Sequence, residues 1–333
     1  MNVISLDRAL ALLHAGAAVA MPTETVYGLA CDAANPMAIA RLYAIKGRPA
    51  DHPVIVHVAN AQALDYWACE VPPAARALAD AFWPGPLTLI LRRAAHVSDA
   101  VTGGQDTVGL RCPDHPLAQA LLNACADAGI QGLAAPSANR FGHVSPTAPA
   151  HVEAEFGGTV PILDGGDCAV GIESTIVDLS GAEARILRPG MLASDALSAV
   201  ITLATEATVA DVVPRVSGRL AAHYAPDTAL EIVPLTILPA RVAGLLSAGL
   251  KLGVLAHTLQ ARASSSMDAE LTWLMLPNDP AGYARGLYAA LRAADASGIA
   301  HLLVETVPET LAWAGVRDRL ARAACGSGRA AHP

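Results

Sequence analysis

"VPRVSGRLAAHYAPD" (Val213–Asp227) separates two different patterns, and its reading decides how the 333 residues are organised. It is polar and carries Pro214, Ser217, Gly218 and Pro226, the composition of a connector. On its N-terminal side, strand-length apolar runs mix with amphipathic ones without a regular beat. "AVAM" (18–21), "PVIVHV" (53–58), "LTLILRR" (87–93), "TVGLR" (107–111), "STIVDLS" (174–180) and "ARILRP" (184–189) read as strands. Ser5 caps a first helix, with Leu6, Leu10 and Leu13 on one face, and Asn35-Pro36 opens a second through Tyr43. Further helices are expected at Pro73–Phe82, His115–Ala128 and Ser194–Ala207. The mixture predicts an α+β domain.

Beyond the connector the order becomes strand (Leu230–Pro234), helix (Arg241–Ser247), strand (Leu252–Ala256) and strand (Leu271–Leu276). A long helix (Ala281–Ala296), a strand (His301–Thr306) and a helix (Leu311–Ala324) follow. This alternation predicts a small three-layer α/β, Rossmann-like domain with a mainly parallel sheet. No G-x-G-x-x-G follows its first strand, so nothing marks it as a nucleotide site. The division is therefore 1–207, a linker or lid at 208–228, and 229–333.

Composition narrows the function classes. The chain is 53% hydrophobic but only 16% charged and 4% aromatic, a folded and helix-containing profile rather than a disordered one. No apolar run reaches about 18 residues without a charge, which argues against a membrane span. The N-terminus lacks a basic region followed by an apolar stretch and a small-residue cleavage site, so a cytoplasmic location is expected. Six cysteines are scattered without a C-x-x-C pair, which predicts free thiols and no metal centre. The net charge of −8 is concentrated before residue 208, where 20 acidic residues face 11 basic ones. That balance opposes phosphate-backbone binding, so no strong direct contact with nucleic acid is expected.

Four stretches of the first half break the core-filling pattern: "PTETVYGLACD" (22–32), "AIKGRPADHPVIVHV" (44–58), "DTVGLRCPDHP" (106–116) and "AAPSANRFGHVSPT" (134–147). The last is followed by "GIESTIVD" and "LRPG". Lys46 is one of only two lysines in the chain. Lys46 and Arg48 suit a helix C-terminus, where cations complement the macrodipole. The prolines and buried-looking strand that follow would instead leave both on a turn beside a sheet edge, where they suit a polyphosphate. Arg111 and Arg188 leave strand patterns and are either exposed or clamps for an anion. His57, inside an apolar strand, reads first as a core histidine. Ser137, Asn139, Ser145, Ser174 and Thr175 place hydroxyls, an amide and backbone N–H donors on irregular backbone, either as turn formers or as an anion cradle. There is no Walker sequence. The residues by themselves lead to an acidic α+β domain with a cationic, hydroxyl-rich pocket for an anionic ligand, in best accord with a nucleotide.

Taken in order, "PTETVYGL", "KGRP", "FWPGPLTLIL", "TVGLR", "APSAN", "VSPT", "GIESTIVD", "ILRPG" and "HYAP" resemble the threonylcarbamoyl-AMP synthase family. The resemblance is to the YrdC-like fold, with a mixed twisted sheet, in its longer form with a C-terminal domain. It implies that L-threonine, bicarbonate or CO2 and ATP give threonylcarbamoyl-AMP and pyrophosphate, with Mg2+ accompanying ATP. The product would pass to a separate transferase that modifies tRNA. The family's K-x-R and S-x-N signature falls on Lys46, Arg48, Ser137 and Asn139, with Lys46 and Arg48 as catalytic residues. Thr25, His57, Arg111, Ala135 and Ser174 match threonine-holding positions. Arg48, His52, Thr107, Ser137, Ser145, Arg188 and Tyr224 match ATP-holding ones. Three features depart from the family pattern: His52 replaces an asparagine, "YGLAC" replaces "YGLG", and the linker lacks a Pro-Gly-Met turn. The alternatives are a carbamoyl-phosphate-dependent carbamoyltransferase, whose extra acylphosphatase-like and zinc-binding domains are absent from this sequence, and a double-stranded RNA-binding module. Because residues 1–207 carry the acidic excess, double-stranded RNA is expected to give no gel-shifted complex at physiological ionic strength. A shift that weakens steeply with salt would restore the RNA reading.

Overall fold

A computed structural model of the chain describes residues 1–204, 213–218, 220–258 and 270–328. The chain forms two compact units. One is Met1–Phe141 with Ser145–Arg219, and the other is Gly142–Val144 with Leu220–Pro333.

The first unit holds strands β1 (Val19–Met21), β2 (Gly28–Asp32), β3 (Ile55–His57), β4 (Leu87–Arg92), β5 (Thr107–Arg111), β6 (Leu133–Ala134), β7 (Thr175–Asp178) and β8 (Arg185–Arg188). They form one mixed sheet in the order β1-β2-β6-β3-β5-β4-β7-β8. The β3–β5 and β4–β7 pairs are parallel and the other five are antiparallel. Side chains alternate across this sheet. Val56, Leu87, Leu89, Leu91, Val108, Leu110 and Val177 are buried in one apolar cluster with Leu42 and Leu78 from the covering helices Pro36–Lys46 and Pro73–Phe82. The intervening positions, His57, Thr88, Ile90, Gly109 and Arg111, face the other way. The strand spelling "TVGLR" thus contributes two core residues and leaves one face to polar or small groups.

Local signals explain the helices. Ser5 Oγ accepts from Arg8 N at the start of Leu6–His14. Asn35 Oδ1 accepts from the amides of Met37 and Ala38, with Pro36 at the first helical position. That second helix runs past Tyr43 to Lys46 and ends on Gly47 in the left-handed conformation, φ 62°. The turn expected to begin before Lys46 therefore begins after it. The stretch 22–32, read from sequence as irregular, yields strand β2 at its C-terminal end, because Leu29 and Cys31 fill the core while Gly28 admits close approach of Ala135. The helix expected at Ser194–Ala207 spans Ser194–Ser198, and residues 205–207 lie outside the described residues.

The second unit holds β9 (Ala229–Val233), β10 (Leu252–Ala256), β11 (Leu271–Met275) and β12 (His301–Glu305) in the all-parallel order β11-β10-β12-β9. Helices Leu238–Ser247 and Pro280–Ala296 supply crossovers, and helix Ala314–Gly326 follows the last strand. Parallel strands need covered faces, and β10 is buried at all five positions. The expected Rossmann-like α/β arrangement is present. No helix of the described residues is long and apolar enough to cross a membrane.

Opposite faces of β4 give a direct test. Leu89 is fully buried, whereas Arg92 is exposed. Leu89→Ala is expected to cost about 2–5 kcal/mol in urea unfolding, and Arg92→Ala no more than about 0.5 kcal/mol. Equal losses would contradict the assigned faces.

Candidate functional site

The site grows out of one row of register partners that crosses the first sheet. Leu133 lies beside His57, His57 beside Arg111, Arg111 beside Thr88, Thr88 beside Ile176, and Ile176 beside Arg188. Arg111 and Arg188, remote in sequence, are thereby placed on the same sheet, and both are buried.

Arg111 Nη1 donates to Thr25 Oγ1 at 2.8 Å, and its Nη2 lies 2.6 Å from Glu24 Oε1 in a buried ion pair. Thr25 Oγ1 also lies 2.9 Å from Thr23 Oγ1, which fixes the turn that carries it. His57 is buried beside Arg111, and burial first, then that guanidinium, push its pKa down to about 3. It is a neutral imidazole at physiological pH. Ser174 Oγ is 2.7 Å from Thr88 Oγ1 and accepts from Arg188 Nη2 at 3.1 Å. Arg188 Nε and Nη2 both donate to Ser174 O. Ser145 Oγ donates to Glu173 Oε1 at 2.6 Å.

The loop that follows β6 forms the adjoining wall. Lys46 Nζ donates to Ser137 O and Asn139 O, each at 2.5 Å, and Phe141 N donates back to Lys46 O. Lys46 is buried rather than exposed on a turn. Burial and then the neighbouring Arg48 pull its pKa well below the usual lysine value, against the pull of Glu155. Of the two readings of this loop, turn formers or anion cradle, the structure shows many of its backbone donors already engaged. Ala135, Ala138, Asn139, Arg140 and Phe141 all donate their amides within the protein. Ala135 N, for instance, goes to Ile55 O at 3.1 Å. Asn139 Nδ2 donates to Arg140 O at 2.7 Å.

Arg48 lies under the connector. Its Nη2 donates to Pro53 O at 2.7 Å and to Ser217 Oγ at 3.1 Å, while Arg188 Nη1 donates to Ser217 O at 3.0 Å. Ser217 therefore bridges the two arginines, and Val216 packs beside Ile55, Ile90, Ile176 and Leu187 on the sheet face. His52 meets the Phe141 ring edge-on at 5.3 Å, and burial, then Arg48, lower its pKa. Thr107 begins β5, at the end opposite Arg111, beside a cavity of about 480 Å³ lined also by Arg92, Gln105, Asp178 and Arg185. Tyr224 belongs to the second unit, where it is buried with φ 60°, stacks on Tyr288 at 5.8 Å and lies under the Arg319 guanidinium. Arg219 and residues 208–212 of the linker lie outside the described residues. Sequence reasoning missed Glu24. Its only signal was an acidic residue between two threonines directly after an apolar strand.

Buried guanidiniums, hydroxyls and a neutral imidazole are thus gathered on one sheet face. A family model described as "Telomere recombination" (Sua5, YciO, YrdC) matches residues 11–190, and one described as "Threonylcarbamoyl-AMP synthase, C-terminal domain" matches residues 188–325. A threonylcarbamoyl-AMP synthase of Pyrococcus abyssi is 36% identical over 93% of this chain and 91% of its own. That of Bacillus subtilis is 36% identical over 98% and 94%. The crystal structure of P. abyssi Sua5 complexed with L-threonine superimposes with a TM-score of 0.85 at 33% identity, covering 97% of this chain and 95% of that one. The chain belongs to the threonylcarbamoyl-AMP synthase family.

Two outcomes test the site's energetics. An unfolded histidine titrates near 6.5, so between about pH 6.5 and 3 the unfolded chain binds a proton that the folded His57 refuses. Stability should therefore fall as pH is lowered through that window, with up to about 1.4 kcal/mol per pH unit from this group. His57→Gln should flatten that slope in urea titrations at successive pH values. Lys46→Met orphans two buried carbonyls and should destabilise the ligand-free chain by about 1–3 kcal/mol, read by the same method.

Proposed function

We propose that this chain makes threonylcarbamoyl-AMP from L-threonine, bicarbonate or CO2 and MgATP, releasing pyrophosphate, in the cytoplasm. It would act as a nucleotidyltransferase that supplies a separate tRNA-modifying transferase. The observation that carries the reading is the row holding Arg111 and Arg188, in a chain whose near-full-length relatives are named for this activity.

Arg111, with Thr25, His57, Ser174 and the backbone at Ala135, would receive the amino acid. Lys46, Arg48, Arg188, Ser137, Asn139 and Ser145 would neutralise and position the triphosphate, with His52 and Thr107 further along. Thr107 and Arg111 are four residues apart on an extended strand, ~13 Å, a span suited to a nucleotide. Threonine's amine would add to CO2 to give a carbamate, and a carbamate oxygen would attack the α-phosphorus as pyrophosphate leaves. That chemistry needs orientation and charge neutralisation more than a covalent intermediate. Mg2+ would arrive on the nucleotide. Because Ser217 occupies both Arg48 and Arg188, segment 213–218 would have to shift when phosphates bind, and it reads as a lid that then shields the labile anhydride.

Incubation with ATP, Mg2+, L-threonine and bicarbonate should yield the adenylate by mass spectrometry, with pyrophosphate in equal amount. Carbamoyl phosphate should not replace bicarbonate and ATP. Arg111→Lys keeps a cation opposite Glu24 but loses the fork, and should raise the threonine KM far more than that for ATP, by about tenfold or more. Equal effects on both substrates would remove Arg111 from the threonine site.

A further inference from the structure

We propose that Glu24 receives the α-ammonium group of the amino-acid substrate, so that Glu24 and Arg111 form a charge pair complementary to a zwitterion. The assignment rests on the threonine reading above. Glu24 lies in the turn between β1 and β2, flanked by Thr23 and Thr25. The turn is fixed on both sides. Thr23 Oγ1 accepts from the amides of Thr25 and Val26 and donates to Val26 O, while Val170 N donates to Glu24 O at 2.7 Å. The carboxylate is therefore held in place and cannot swing out to water at little cost.

Both of its oxygens are buried without an aligned hydrogen bond, and they differ in how near they lie to a cation. Oε1 lies 2.6 Å from Arg111 Nη2, with both side chains at least nine-tenths buried. Oε2 is buried and accepts no hydrogen bond among the described residues. A buried carboxylate oxygen with no donor is costly, and its place beside the proposed carboxylate clamp points to a donor brought by the ligand. Arg111 has donors to spare for that ligand. Its guanidinium carries five N–H groups: Nε and Nη1 each donate one, to Gly85 O and Thr25 Oγ1, while Nη2 sits 2.6 Å from Glu24 Oε1 without an aligned hydrogen bond, so three N–H groups remain.

In an α-amino acid, carboxylate and ammonium sit on the same carbon. A carboxylate taken by the remaining Arg111 donors thus brings the ammonium alongside Glu24 Oε2. A plain anion at the same place gains Arg111 but adds negative charge next to Glu24, and is penalised. The pair selects a zwitterion over a hydroxy acid of the same size. A pair that only held Arg111 in position would show no such preference.

Calorimetric titration of the full chain with L-threonine and with 3-hydroxybutyrate, which lacks only the amine, separates the two accounts. The unmodified chain should bind L-threonine about tenfold or more tightly than 3-hydroxybutyrate. Glu24→Gln should lose about that factor for L-threonine and none for 3-hydroxybutyrate, and Glu24→Asp should recover part of it. Equal losses for both ligands, or unchanged L-threonine binding in Glu24→Gln, would overturn the assignment. Should Glu24→Gln fail to fold, the ligand comparison in the unmodified chain decides alone, and parity between the two ligands overturns it. Absence of any L-threonine binding by the unmodified chain would instead remove the threonine reading, and this assignment with it.

Discussion

One buried ammonium group holds the site together. Lys46 closes the helix Pro36–Lys46 and spends two of its three donors on the carbonyls of Ser137 and Asn139, in a loop with few side chains able to anchor it. Its carbonyls at Ser137 and Asn139 face the buried lysine, while the amides of Ala135 and Ala138 donate to Ile55 O and Tyr27 O. The loop becomes a wall of defined shape although it is neither helix nor strand. One donor of Lys46 is left over, and a buried lysine whose pKa is pulled down gains from an anion placed against that donor.

The second constraint is the two-sidedness of the first sheet. Its core face is filled by Leu, Val and helix side chains, and this fixes the register of every strand. Since register cannot slip without exposing that face, His57, Thr88, Arg111 and Arg188 are held in one row by the apolar residues between them. The charged groups are thus positioned by their uncharged neighbours. Gly109, between Thr107 and Arg111, keeps the row approachable, because a Cβ there would lie 3.1 Å from Ile90 Cδ1.

The connector contributes to the same face. Val216 covers apolar positions of the sheet while Ser217 supplies one oxygen to each of two arginines, so neither cation is buried without an acceptor. Ser217 and Glu24 thus add oxygens to those that Pro53, Ser174, Thr25 and Gly85 already present to Arg48, Arg188 and Arg111, the three guanidiniums read as taking the substrates' phosphate and carboxylate groups. This limits the cost of keeping several cations close together and out of water.

Much of the architecture was legible in the sequence. Strand-length apolar runs marked β4, β5 and β10, caps and prolines marked the helices, and the change of rhythm after Val213 separated a mixed sheet from a parallel one. The order of motifs was sufficient to indicate the family. What the sequence could not show was where the charges go. Lys46 reads either as a helix-end cation or as a phosphate ligand on a turn, and neither reading foresees its burial, because local spelling carries no information about a loop some 90 residues away that supplies its acceptors. Glu24 was passed over because a carboxylate becomes informative only when an arginine from β5 is folded against it. Tyr224 reads as part of a linker, yet it is buried against Tyr288 and Arg319. Local propensity and hydrophobic period are properties of neighbours in the chain, and they determined the elements. Burial, ion pairing and hydrogen-bond supply depend on neighbours in space, and only the tertiary structure decided them.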